Sequence, residues 1–343
     1  MSSTSFDLSL SAAPRTNWII GRQDDLTWFI GSAAAGYLAL GLLKVGFPFW
    51  PLYFIWLVLI DGPHVFATAT RTYFDRSERG RRGLLLWLIV PASLLGPAMW
   101  AAGQERIFYL FVFSWLHYHI AKQHFGFVMI YKRKNGDHAR ADFLIDRYCL
   151  LVALLFPLLR FIIADYPALA RLNFVRGVEK VALVVYVAAG LIFVGRQAQK
   201  LVVGGPLNPP KLLLFLAVVP LQWLAFNQAI HSPHGILEAG IAVGLCHSLQ
   251  YHRLMWFHNR NRYAGPDGAT RAGWAATLSR SFIYYFGAAA GLNLICNVIP
   301  TLGLSNVGFL QVAVWGPAIT HYCLDAKIWR VRGDRELAAA LKI

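Results

Sequence analysis

Histidines are concentrated where hydrocarbon would be expected. Ten of the eleven in this chain lie within or at the ends of long apolar segments. They occur in Asp61-Gly62-Pro63-His64, in Trp115-Leu116-His117-Tyr118-His119 running on to His124, in Cys246-His247 through His252 to His258, and in His321-Tyr322-Cys323-Leu324-Asp325. An ionisable side chain inside a membrane costs at least a few kcal/mol and marks a functional site by default. Neutral imidazole is also the commonest metal ligand. A convergent set of such residues therefore reads as a metal centre, with His64, His117, His124, His247, His252 and His321 as candidate ligands. Asp61 lies three residues before His64 and Asp325 four after His321, so each pair shares a helix face. A carboxylate so placed can accept the second ring N–H, fix the tautomer and strengthen the ligand, or bind the metal itself. Imidazoles suit iron, zinc and copper alike, so ligand type does not choose the metal.

The elements that must position these residues are membrane helices. The 343 residues are 57% hydrophobic and only 14% charged, against about a quarter charged in ordinary soluble domains, and the mean hydropathy is +0.48. Apolar runs long enough to cross a core of about 30 Å centre near residues 27–44, 48–70, 84–102, 107–131, 143–164, 181–196, 211–230, 236–258, 281–300 and 307–329. The expected fold is an all-α, polytopic integral-membrane bundle of about ten helices over residues 27–330. Polar tails of residues 1–26 and 331–343 flank it, and no segment is left over for a soluble domain.

The net charge of +15 divides unevenly among the connections. With the amino terminus placed in the cytoplasm, inner segments hold 22 Lys and Arg and outer segments 5. Such a bias is a positive-inside signal. It predicts both termini in the cytoplasm, as in a bacterial inner membrane, and accounts for the charge without nucleic acid. The Ser-rich first 26 residues lack the apolar core of a signal peptide, so the first span reads as retained. Cys149, Cys246, Cys296 and Cys323 show no CxxC spacing and read as buried packing residues. Gly265-Pro266-Asp267-Gly268 has the chemistry of a turn.

Topology supplies an independent test of the histidines. Spans 2, 4, 8 and 10 all run inward in this arrangement. His64, His124, His252 and His321 precede Arg71, Lys132, Arg260 and Arg330 by 7, 8, 8 and 9 residues. A lone buried histidine is usually a hydrogen-bonded core residue, but scattered core residues have no reason to agree in depth. His117 and His124 lie two turns apart and share a face, whereas His247 and His252 diverge on a regular helix. His119 faces away from His124 and reads as either a supporting or a packing residue. His258 reads as a residue of the water boundary. His231 and His234, beside Ser232-Pro233, and His138 read as loop residues.

The order of motifs resembles the Brp/Blh family of membrane proteins, iron-dependent dioxygenases that cleave β-carotene to retinal. The resemblance rests on Pro63-His64, on Ser114-Trp115-Leu116-His117, on His247-Ser248 with His252, and on His321 with Asp325 and Arg330. It covers about residues 55–330. Two family aspartates, one after each of the first two histidines, are absent, with Thr68 and Lys122 in their neighbourhoods. The resemblance implies a shared scaffold and iron site more than a shared substrate.

The leading expectation is a non-haem iron oxygenase that uses one or two Fe(II) ions and O2 on an apolar substrate, such as an isoprenoid, carotenoid or acyl lipid, taken from the membrane lipid. A di-iron hydroxylase or desaturase is a second enzyme reading, although its usual HxxxH and HxxHH clusters are missing. A metal or proton transporter is a reading of another class. It would continue the histidines outward through Asn227, Gln228, His231, His234 and Glu238.

Overall fold

The computed structural model describes residues 16–263, 268–303 and 308–343, and every regular element among them is helical. The first fifteen residues of the amino-terminal tail and most of the Gly265–Gly268 turn lie outside the described residues. We number the principal helices α1 Arg22–Lys44, α2 Phe49–Arg71, α3 Arg76–Ala101, α4 Glu105–Lys134 and α5 Arg140–Asp165. They continue with α6 Asn173–Val202, α7 Pro209–Ile230, α8 Ile236–Tyr263, α9 Phe282–Leu302, α10 Gly308–Ala313 and α11 Gly316–Ile328.

Seven of these, α1, α2, α3, α5, α6, α7 and α9, are long and apolar enough to cross a membrane. With 30 and 28 residues, α4 and α8 have the length, but their histidines, glutamines and end charges lower their hydropathy. In place of the tenth expected span stand the two shorter helices α10 and α11.

At the centre runs α8, buried along most of its length and packed on α1, α2 and α7. The peripheral α6 packs on α5 and is apolar on its exposed surface from Val181 to Val194. Where α1 crosses α8, Gly36 is required because a Cβ there would fall on the carbonyl of Ala242. The ends of α2 and α11 are tied by the buried Arg71, which donates to the Ile328 carbonyl at 2.5 Å and stacks 4.2 Å from the Trp329 ring.

At one end of the bundle a buried ion network joins α4, α5, α6 and α7. Lys132 and Lys211 reach Asp146 at 2.7 and 2.9 Å and Asp137 at 3.0 and 2.8 Å, while Lys200 and Arg196 hold Asp142 at 2.7 and 2.6 Å. Burial pushes the Asp137 carboxyl up, but Lys211 and Lys132 outweigh it and hold that carboxyl well below the usual range. The segment read as a carboxy-terminal tail forms a helix, Arg335–Ala340, whose Leu337 is buried and whose Ala340 carbonyl accepts from Asn261 on α8 at 2.8 Å. Cys149 and Cys246 are buried, as packing residues would be, whereas Cys296 is exposed and Cys323 half-buried.

Candidate metal centre

Four imidazoles from four helices meet inside the bundle: His64 on α2, His119 on α4, His247 on α8 and His321 on α11. All four are buried, and one ligand nitrogen from each lies within 4.8 Å of all the others. The rings form a closed circuit. Centroids are 4.6 Å apart for His64–His247, 5.1 Å for His247–His119, 4.9 Å for His119–His321 and 4.5 Å for His321–His64. Metal–nitrogen bonds of about 2.0–2.1 Å place ligating nitrogens at most roughly 4 Å apart. Small ring rotations therefore suffice to close the cluster on one ion.

The hydrogen-bond inventory fits a metal as well as the spacing does. A buried polar atom without a partner is costly and rare, yet Nε2 of His64, His119, His247 and His321 all lack one. Two of the rings have Nδ1 engaged: that of His64 by the Asp61 backbone carbonyl at 3.3 Å, and that of His321 by Thr68 Oγ1 at 2.7 Å. With the proton on Nδ1, each presents the Nε2 lone pair inward. His247 has neither nitrogen engaged and is fully buried. Nε2 of His117, His124 and His258 also lacks a partner, so what sets the four apart is that one ligand nitrogen from each converges with the others, as donors to a single ion would.

The helix that carries His64 is irregular for identifiable reasons. Its first part, Phe49–Trp56, passes through a π-helical segment, Leu57–Asp61, before Gly62–Arg71 continues as α-helix. Pro63 has no N–H to offer to the preceding turn. Asn293 of α9 donates instead to the Leu57 and Val58 carbonyls at 3.2 and 3.3 Å. Gly62 is what lets Asn293 approach, since a Cβ at that position would fall on the asparagine side chain. π-Bulges of this kind often occur at functional sites, and here the bulge sets the direction of Asp61 and His64.

Two carboxylates were expected to steady the histidines. Asp325 Oδ1 is 3.6 Å from His321 Nδ1, but Thr68 stands between them, 2.7 Å from the ring and donating to Asp325 at 3.1 Å. Tyr251 completes the relay, its hydroxyl 2.6 Å from Thr68 and donating to Asp325 at 3.0 Å. Asp61 Oδ1 lies 3.8 Å from His64 Nδ1 and accepts from Ser248 at 2.8 Å, so Asp61 meets the imidazole through its backbone carbonyl.

The other candidate histidines lie outside this circuit. His117 gives Nδ1 to the Phe113 carbonyl at 2.7 Å and packs 4.8 Å from the Phe226 ring. The Nδ1 of His124 goes to the Ile120 carbonyl at 2.9 Å. In His252 both nitrogens are engaged, by Tyr285 and the Ile60 carbonyl, each at 3.1 Å. The face of α4 that meets the cluster is thus that of His119. Gln123, one turn on, shares it and donates to the His247 carbonyl at 3.0 Å and to Gln250 at 3.3 Å. The i, i+4 pair His119–Gln123, two polar residues in an apolar run, was the signal for that face. The buried His258 lies against Asn259 and Trp329. Along the outward polar path, Gln228 is bonded to Glu238, Asn227 to Arg160 and the Trp223 carbonyl, and His234 is stacked on Phe49.

Beside the cluster lies a cavity of about 600 Å³. Its inner wall includes Asp61 and Gly62, next to His64, and Tyr322, whose ring is 4.8 Å from His119 and 5.5 Å from His321. Against protein-family models, curated proteins and solved structures, the chain has no match.

Proposed function

We propose that this chain is an integral-membrane non-haem iron oxygenase that admits an apolar, lipid-like substrate from the bilayer to the cavity beside the four-histidine cluster. The observation that carries this reading is the set of four buried Nε2 atoms without partners, contributed by four helices and adjoining a cavity of about 600 Å³. The Brp/Blh resemblance points the same way. Pro63-His64, His247-Ser248 and His321 with Asp325 all lie at the cluster, while its Ser114-to-His117 motif lies two residues from His119.

Iron(II), held there by neutral imidazoles, would supply the O2 chemistry that no amino-acid side chain provides unaided. The protein's own contribution is positional. Thr68 and Asp325 hold the His321 tautomer, the Asp61 carbonyl holds His64, and the aromatic wall around Tyr322 excludes water from the reacting end of the substrate. Elemental analysis of protein purified in mild detergent tests the proposal, with about one iron per chain expected and O2 uptake on adding isoprenoid or acyl substrates. Protein that retains no iron, or that exchanges its metal freely and takes up no O2, would turn the reading towards transport.

A further inference from the structure

The cavity beside the cluster is chemically asymmetric. Towards the histidines it is bounded by Asp61, Gly62 and Tyr322. At the far end it is bounded by Asp165, Asn297, Thr301 and Gln311. The distance between the ends follows from α9. Asn293 lies against Gly62, and Asn297 and Thr301 follow one and two turns further from the cluster, at most about 6 and 12 Å at the 1.5 Å per residue of an α-helix and less across the π-helical Leu294–Val298. These residues form one ladder on a single face: Asn297 donates to Asn293 at 3.1 Å and Thr301 to Asn297 at 3.5 Å. Asn293 is used up by the α2 carbonyls, but Asn297 and Thr301 border the cavity. An amide and a hydroxyl can each both donate and accept, so the pair suits a neutral oxygen-bearing group.

The charges at the wall discriminate further. Among the described residues, no Lys, Arg or His lines the cavity, whereas a carboxylate stands at each end, Asp165 and Asp61. A carboxylate or phosphate on the ligand would enter a partly desolvated site beside two carboxyl groups and without a cation to pair with, which is unfavourable.

We infer that this cavity binds a neutral chain with an alcohol or ketone at one end, that end held by Asn297 and Thr301 and the apolar part laid towards the histidine cluster. Free fatty acids and phospholipid headgroups are excluded. The inference rests on the cavity's proposed role as the substrate site, and a binding measurement separates the two because it needs neither O2 nor turnover.

The test is equilibrium binding, at pH 8 and without O2, of three tritiated C20 isoprenoids, an alcohol, the matching carboxylic acid and the matching hydrocarbon. The full chain is held in neutral-lipid nanodiscs, and empty discs are subtracted. The alcohol is expected to bind about tenfold tighter than the hydrocarbon, the worth of one or two neutral hydrogen bonds, and tighter still than the acid. Thr301→Val should cut alcohol affinity several-fold and leave the hydrocarbon unchanged. Thr301→Lys should raise affinity for the acid. Equal binding of alcohol and acid, or of alcohol and hydrocarbon, by the unaltered protein would overturn the inference, as would alcohol binding indifferent to Thr301→Val. Selective alcohol binding by protein that consumes no O2 would sink the oxygenase reading alone. O2 uptake with no preference for the alcohol would sink this inference alone.

Discussion

Thr68→Val is the most searching single change at the candidate metal centre, because it removes one hydroxyl and keeps the β-branched shape. That hydroxyl stands 2.7 Å from His321 Nδ1, 3.1 Å from Asp325 Oδ1 and 2.6 Å from the Tyr251 hydroxyl. Without it Tyr251 still reaches Asp325 at 3.0 Å, but His321 Nδ1 is left with a carboxylate oxygen at 3.6 Å, beyond hydrogen-bond range. The buried ring loses its only acceptor and is free to rotate or to take the other tautomer, which turns the Nε2 lone pair away from the cluster. Loss of such an outer partner typically costs 10–100-fold in metal affinity, or about 1.4–2.7 kcal/mol. Iron affinity in detergent, measured by competition with a coloured chelator, should therefore fall 10–100-fold in Thr68→Val and stay near the unaltered value in Thr68→Ser. Thr68→Val with unchanged affinity, alongside a His321→Ala variant that loses its metal, would refute the tautomer argument and leave the cluster standing.

Other changes separate the cluster from its surroundings. His321→Ala should lose bound metal and activity together while Asp325→Asn keeps much of its metal with slower turnover; full occupancy and activity in His321→Ala would reduce His321 to a packing residue. His117→Ala and His252→Ala should keep their metal, since neither ring joins the circuit of four; metal loss matching His321→Ala would put either one into the coordination sphere. Gly62→Ala should destabilise the protein by about 1–3 kcal/mol, the usual cost of overpacking, and Asn293→Ala in the same chain should recover part of it in thermal melts; a Gly62→Ala melt identical to the parent would contradict the close approach. The Asp137 carboxyl is depressed on folding. Its stabilisation is therefore whole above the unfolded carboxylate value of about 3.9 and is lost as pH falls below that. Asp137→Asn should melt lower than the parent at pH 7 and approach it in acid, and a gap that does not change with pH would count against the ion network.

What could be read from the sequence was depth and sequence order; what could not was rotation about each helix axis. The agreement of the histidines in distance from the basic end marks α2, α4, α8 and α11, and these are the helices that meet at the cluster. On α4, however, His117 and His124 share one face and His119 another. The pair was favoured because it is the more regular, whereas the cluster takes His119. Which face turns inward depends on the neighbours, and Gln123 against α8 decides it. The π-bulge at Leu57–Asp61 was equally hidden. It depends on an asparagine 236 residues further on, the distance from Leu57 to Asn293. Thr68 registered in the sequence only as the place of a missing aspartate. In three dimensions it relays to an aspartate supplied by another helix, Asp325.

The two longest helices that build the centre, α4 and α8, are legible as apolar runs but fall short of the seven helices apolar enough to cross a membrane, and the reason is physical. A helix facing lipid must be apolar over its whole circumference: α6 has a mean hydropathy of 2.0 with none of its window buried. A helix wrapped by others can carry polar groups, because its neighbours shield it and supply hydrogen-bond partners. Thus α8 bears His247, Ser248, Gln250 and His252, each buried, and α4 bears His117, His119 and His124, also buried. Both drop below the apolarity of their neighbours for the same reason that they can hold the site. High hydropathy does not in turn mean exposure, since α5 also has 2.0 and half of its window is buried. In a bundle of this kind, the long helices that fall short of a membrane span by hydropathy are where a buried centre should be sought first.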